Sequence, residues 1–351
     1  MRGLAVVAVV GASLMWTAPA QADANELCRF DSERLSEISG LASSALHEGI
    51  VWAHNDSGGG PFLYALNIET CEIQATLKVR GVNALDPEAI AIGTGAGGAP
   101  AIWWGDIGDN TGERRYVEIH EITEPGELLD GAVTPTTYRV RLDRAEDAEA
   151  LVADGDQLWL IGKGLTGGTI WRLPSPLPQG DTSRAKAVGT EDALVTDAAM
   201  RPGGGYAVRD YSEVRIDSGQ PPGTLIERMP LPEQIQGEAM TWTADGTGLI
   251  VASEGDDRLL LVPVTSPVEN SASQPTDTET TAPSSAPSSP AAEPLPDDSE
   301  APSIAPSPVA DALEPVDRVG SLAVIALAIG AAVFIVSAAA VPVIALVRSR
   351  R

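Results

Sequence analysis

Apolar and polar positions along this chain alternate in short bursts. Typical bursts are Val51-Trp52-Ala53-His54-Asn55-Asp56, Ala101-Ile102-Trp103-Trp104-Gly105-Asp106 and Leu158-Trp159-Leu160-Ile161-Gly162-Lys163. Each is strand-like, four to seven residues long, and ends in a polar residue followed by turn formers. Gly205-Tyr206-Ala207-Val208-Arg209-Asp210 and Leu249-Ile250-Val251-Ala252-Ser253-Glu254 repeat the pattern. An acid precedes each burst at Glu37, Glu88, Glu149, Asp197 and Glu238, at spacings of 51, 61, 48 and 41 residues. Such a period suits four-stranded propeller blades. Third strands fit 62–68, 116–122, 169–173, 213–216 and 258–264. Fourth strands fit 72–79, 137–142, 185–189 and 224–229. The fifth unit lacks its own fourth strand, and Glu26-Leu27-Cys28-Arg29-Phe30 at the other end of the domain can supply it. Closure of the ring hides edge strands. The expected fold is therefore all-β, a five-bladed β-propeller over residues 25–264. A six-bladed ring with one degenerate blade is the alternative.

The two ends follow different patterns. Met1-Arg2, an apolar run from Leu4 to Met15 and the small-residue stretch ending at Ala22 read as a signal peptide over 1–22, or else as a short N-terminal anchor. Residues 320–347 carry no charge and exceed the roughly 20 residues that span a bilayer. Arg348, Arg350 and Arg351 follow, so the 348–351 tail is expected in the cytoplasm. Residues 265–317 are dominated by Pro, Ser, Thr and Ala and have too little apolar surface to offset the entropy of ordering. A disordered stalk, one transmembrane helix and an extracellular N-terminal domain at the cell membrane are the expectation.

Charge narrows the partners. Asp and Glu total 49 against 23 Lys and Arg, a formal charge of −26. That excludes nucleic acid and suits cations or an unidentified extracellular ligand or protein. Cys28 and Cys71 are the only cysteines; in an exported chain they are expected to form a disulfide, with two free thiols as the alternative.

In a propeller the first strand of each blade lines the channel and the second returns beside it. Glu37, Glu88, Glu149, Asp197 and Glu238 should then share one mouth with Asp56, Asp106, Lys163, Asp210 and Glu254. So many carboxylates need protons, a cation or backbone donors. Calcium suits flexible oxygen ligation, and Glu37, Glu88, Asp106, Glu149, Glu238 and Glu254 are the candidate ligands. The alternative is that the repeated acids cap turns or tie blades together. His54, Asp56 and Glu88 are the candidate catalytic groups, with His54 as base. Lys163 and Arg209 are the candidate substrate-binding cations. Asp106-Ile107-Gly108-Asp109-Asn110-Thr111-Gly112 has calcium-loop residue types without the loop's spacing, so turn chemistry is expected there. Gly203-Gly204-Gly205 reads as a turn. Trp52, Trp103, Trp104 and Trp159 read as core, with carbohydrate stacking reserved for an exposed ring. His47 and His120 have no assigned role.

Ile38-Ser39-Gly40-Leu41-Ala42, Trp52 through Gly58, Pro87-Glu88-Ala89-Ile90-Ala91 and Gly105 through Asn110 together resemble bacterial exported propeller proteins related to the phytase-like and esterase-like propellers. The resemblance implies a propeller in which Glu37, His54, Asp56, Glu88 and Asp106 are the positions to carry over. It also implies calcium-dependent phosphoesterases among the relatives. A phosphate-ester site needs several converging cations, and only Lys163 and Arg209 are placed for it. Two functions follow: a surface-displayed binding module, or a calcium-dependent hydrolase using metal-activated water.

Overall fold

The computed structural model describes residues 24–265 except 57, 165 and 166. The 1–22 signal segment, the stalk beyond its first residue, the 320–347 span and the basic tail lie outside the described residues. All regular structure described is β, so no helix among the described residues is long and apolar enough to cross a membrane.

Strand β1 (Asn25–Arg29) is reserved for the last blade. Blade 1 holds β2 (Ile38–Ser43), β3 (Ile50–Asn55), β4 (Phe62–Asn67) and β5 (Ile73–Val79). Blade 2 holds β6 (Pro87–Thr94), β7 (Pro100–Asp106) and β8 (Val117–Thr123). Its chain then makes β9 (Gly131–Val133) and closes with β10 (Thr136–Arg141). Blade 3 holds β11 (Ala148–Asp154), β12 (Gln157–Gly162) and β13 (Gly168–Arg172). The short β14 (Thr182–Arg184) precedes its outer strand β15 (Lys186–Glu191). Blade 4 holds β16 (Asp197–Met200), β17 (Tyr206–Arg209), β18 (Glu213–Ser218) and β19 (Thr224–Pro230). Blade 5 holds β20 (Gln236–Trp242), β21 (Gly248–Glu254) and β22 (Arg258–Pro263), and β1 pairs antiparallel with β22 to complete it. The inner strands β2, β6, β11, β16 and β20 neighbour one another in that order and back to β2, which closes a ring of five blades. The six-bladed alternative falls.

Burial explains the strand sequences. β12 is buried on both faces and is apolar at four of its central positions. β5 lies further out and alternates, with Ala75, Leu77 and Val79 buried and Gln74 and Lys78 exposed. Adjacent Trp103 and Trp104 point to opposite faces of β7. Trp104 packs with Trp52, Ile90 and Ile102 between blades 1 and 2, and Trp103 packs with Leu151, Leu160 and Trp171 between blades 2 and 3. Burying an aromatic ring of this kind stabilises by roughly 3 kcal/mol. Trp52, Trp103, Trp104 and Trp159 are all core residues, so none offers a face to sugar.

Two devices lie beyond the simple repeat. β9, from the loop after β8, pairs parallel with β5 of blade 1, and β14 pairs parallel with β10 of blade 2. Each covers an outer edge of the preceding blade. A disulfide joins Cys28 on β1 to Cys71 in the β4–β5 turn. It holds the closing strand to blade 1 and contributes roughly 2–4 kcal/mol by restricting the unfolded chain.

Candidate functional site: an acidic channel mouth

The channel mouth is built on β-bulges. On β2, β6, β11 and β20 the register with the second strand skips one residue: Ser39, Glu88, Glu149 and Glu238. Two residues then oppose one, and the extra residue's side chain is re-aimed. β16 has no bulge in this ladder; Asp197 pairs with Arg209. Ser39, Glu88, Glu149 and Glu238 are thus equivalent, Asp197 is paired where they are bulged, and Glu37 is not a member of that ring. Glu37 matches Asp86 and Asp147. The carbonyls of all three accept a backbone N–H, from Asp56, Gly108 and Lys163 respectively, at 2.8–3.0 Å. The mouth therefore carries an x-acid pattern two residues deep: Asp86-Pro87-Glu88, Asp147-Ala148-Glu149, and, with neutral replacements, Glu37-Ile38-Ser39 and Gln236-Gly237-Glu238. Asp86 and Asp147 were legible as the acid two residues before the repeated one, a signal the single-acid register conceals.

The carboxylates converge across blades. One oxygen from each of Asp56, Asp86 and Glu88 lies within 4.8 Å of the other two. Glu88 is buried, and Ser39 Oγ donates to its Oε2 at 3.2 Å. Burial, then the charges of Glu149, Asp56, Asp86 and Asp147, push Glu88 well above the usual carboxylate range. Burial raises Glu149 to about 8, against the pull of Lys163, whose Nζ donates to Glu149 Oε1 at 3.0 Å. Glu254 is raised to about 7 by burial and by Glu238, Glu37 and Asp56. Tyr211 and Gln236, both absent from the sequence-based set, donate to Glu238 Oε1 at 3.3 and 3.1 Å. Lys163 Nζ also lies 5.6 Å from the centre of the Tyr211 ring.

Four expected members sit elsewhere. His54 is fully buried between blades 1 and 2, its Nδ1 2.9 Å from the Asn55 carbonyl oxygen and its ring edge-on to Trp104. Burial lowers it to about 4. It cannot touch a ligand at the mouth, so the catalytic trio His54, Asp56 and Glu88 is not assembled. Arg209 is also fully buried. Its guanidinium donates to the Ala239 carbonyl at 3.0 Å and to Gln234 Oε1 at 2.8 Å, so it braces blade 5 and offers nothing to a substrate. Asp106 occupies the place of Asn55, not of Asp56, because Pro87 pairs with Asp106 as Ile38 pairs with Asn55. Its carboxylate accepts the backbone N–H of Leu85 and Asp86, each at 3.0 Å, and Arg114 Nη1 at 2.7 Å. It positions Asp86 and does not face the mouth. Asp197 accepts Met240 N and Ala198 N, each at 2.7 Å, and ties blade 4 to blade 5. Asp109 caps the following turn by accepting Glu113 N at 2.9 Å, which makes the 106–112 string turn chemistry. The three glycines 203–205 all have positive φ, as a turn there requires.

The donor set fits a hard cation. Gly108 presents no Cβ where one would lie 2.4 Å from Asp86 Oδ2 and 2.9 Å from Glu88 Oε1, so these oxygens stay approachable. Calcium accepts such carboxylates in flexible geometry. A cavity of about 430 Å³ lies at the other end of the channel. It is lined by the far ends of the inner strands, among them Ala42, Ala153, Ala199 and Trp242, and includes none of these acids.

The sequence matches no protein-family model and no curated protein. Among solved structures, the chain is similar to a gluconolactonase of Xanthomonas campestris at 11% identity, covering 72% of this chain and 99% of that one, with a TM-score of 0.38. A streptogramin B lyase is 13% identical, with 66% of each chain covered and a TM-score of 0.34. The virginiamycin B lyase of Staphylococcus aureus is 15% identical, covering 66% of this chain and 67% of that one, with a TM-score of 0.33. Likenesses this distant assign no chemistry; the propeller class rests on the strand pairing itself.

Proposed function

We propose that this chain is an exported, membrane-tethered propeller whose acidic mouth takes a divalent cation, calcium, and through it an extracellular ligand. The observation that carries the reading is the convergence of Asp56, Asp86 and Glu88, with Glu149 and Asp147 adding charge beside them. Among the described residues, Lys163 donates to Glu149 and so offsets part of the mouth's charge. Excess negative charge held partly out of water favours a bound cation. The uncharged 320–347 run and its basic tail motivate the tether. The chain leaves the ring at Val264, whose N–H pairs with the Thr247 carbonyl on the face opposite the mouth, which suits a C-terminal tether.

The second reading is a calcium-dependent hydrolase. What favours it is the elevation of Glu149 to about 8 and Glu254 to about 7, values at which a carboxyl exchanges protons near neutrality. Carboxylic esters then suit the site better than phosphate esters, because Arg209 is spent on carbonyls.

Thermal melting with calcium and with chelator tests the cation. Calcium is expected to raise the midpoint in the wild type and not in Glu88→Gln. An unchanged wild-type midpoint overturns the reading. A panel of carboxylic and phosphate esters assayed with calcium separates the two functions: turnover lost in Glu88→Gln favours the hydrolase, and no turnover leaves the binding module.

A further inference from the structure

The boundary between blades 1 and 2 holds a second cluster, separate from the mouth acids. One donor atom from each of Asp106, Glu118 and His120 lies within 4.8 Å of the other two. Asp106 and Glu118 are directly opposite on β7 and β8, and His120 is two residues along β8 on the same face. His120 is fully buried, and its Nε2 has no hydrogen-bond partner among the described residues. Leaving a buried ring nitrogen unmatched costs roughly 1–3 kcal/mol, and unlike the buried His54, whose Nε2 also lacks a partner, His120 lies beside two carboxylates.

We propose that Asp106, Glu118 and His120 form a binding site for a divalent transition metal, with zinc the best fit. Each donor has the outer support that metal ligands carry. His120 Nδ1 lies 2.9 Å from Thr137 Oγ1; with Nδ1 donating there, the lone pair sits on Nε2. Asp106 is oriented by the Leu85 and Asp86 backbone and by Arg114. Glu118 is oriented by Arg139, whose Nε donates to Oε1 at 3.2 Å. Arg139 holds one Glu118 oxygen, and both Asp106 oxygens already accept donors, Oδ1 from Arg114 and Asp86 N and Oδ2 from Leu85 N, so a metal would use their remaining lone pairs.

The same arginines decide the metal. Two guanidiniums offset the two carboxylates, so the cluster has little surplus negative charge for calcium or magnesium, which bind through anionic oxygen. A borderline-soft ion with strong affinity for imidazole gains more here. Three protein donors leave a fourth tetrahedral position open.

The test is zinc binding to the full-length chain, measured by calorimetry and by metal content after dialysis, with cobalt absorption as a spectroscopic report. The rings of Trp104 and His120 are 5.3 Å apart, so Trp104 emission gives a further signal. One zinc per chain is expected. His120→Gln should lose it, Thr137→Val should weaken it about 10–100-fold, and Glu88→Gln should keep it. Glu118→Gln supplies the same reading if His120→Gln does not fold. Absence of zinc binding in the wild type, or equal binding in folded His120→Gln, overturns the proposal. Zinc lost in Glu88→Gln but kept in His120→Gln assigns the ion to the mouth and also overturns it. Calcium binding at the mouth is a separate measurement, so either reading can fail alone.

Discussion

Ser39 of blade 1 donates its hydroxyl to Glu88 of blade 2 across the first blade boundary, at 3.2 Å. The bulge that places Glu88, Glu149 and Glu238 falls in blade 1 on this serine. Blade 1 therefore contributes a neutral donor where three other blades contribute a bulged carboxylate. One hydrogen bond steadies the most crowded acid, and the mouth has one negative charge fewer than a perfect repeat would carry.

Ser39→Asp is expected to restore that charge. Without calcium the variant should melt lower than the wild type, because another carboxylate joins the repelling set. With calcium the gap should narrow or reverse, and calcium affinity should rise. Ser39→Ala should instead cost about 1 kcal/mol in denaturant unfolding, the worth of a buried hydrogen bond. A Ser39→Asp variant whose melting does not respond to calcium would show that this position does not face the cation.

Arg209 and Lys163 should separate on substitution. Arg209→Met leaves the Ala239 carbonyl and Gln234 without a donor inside blade 5. A loss of roughly 3 kcal/mol is expected. Lys163→Met touches a half-buried mouth residue and should cost less while changing calcium affinity. Equal destabilisation by the two, measured by urea unfolding, contradicts the assignment of Arg209 to structure alone.

His54 should make stability sensitive to acid. Its ordinary value of 6.5 falls to about 4 on folding because burial disfavours the charged ring. A depressed folded value means that the stability it permits is complete above 6.5 and is lost as pH falls through 4. The loss is about 3 kcal/mol. His54→Leu should remove this component, so the wild-type-minus-variant stability should decline between pH 6.5 and 4 and stay level above 7. A level difference throughout that window counts against the buried neutral ring.

Ending the chain just after the propeller tests the tether. The full-length chain is expected in the membrane fraction, with its propeller accessible to protease added from outside. A chain stopped at Ser271 should be released to the medium and keep the melting midpoint of the parent domain. Release of the full-length chain as well would remove the anchor reading and leave the propeller untouched.

The alternating bursts, their period and the strand borrowed from residues 26–30 were all readable in the chain, because strand pattern and repeat length are local properties. So were the buried tryptophans and the pairing of Cys28 with Cys71. Register was not. A bulge adds one residue to one strand and reverses which face a side chain meets. The five motifs looked alike with Glu37 in the ring, while pairing put Ser39 there and moved Asp106 to the place of Asn55. The edge strands β9 and β14 were invisible for a related reason: each pairs with the preceding blade, and nothing in Gly131–Val133 or Thr182–Arg184 names its partner.

Composition and periodicity by themselves determined a closed all-β ring with acid concentrated at one end. Tertiary packing alone decided which polar groups reach that end. His54 and Arg209 carry chemistry as residue types, but the neighbouring blades enclose them, and a group shut away from solvent takes its role from what surrounds it.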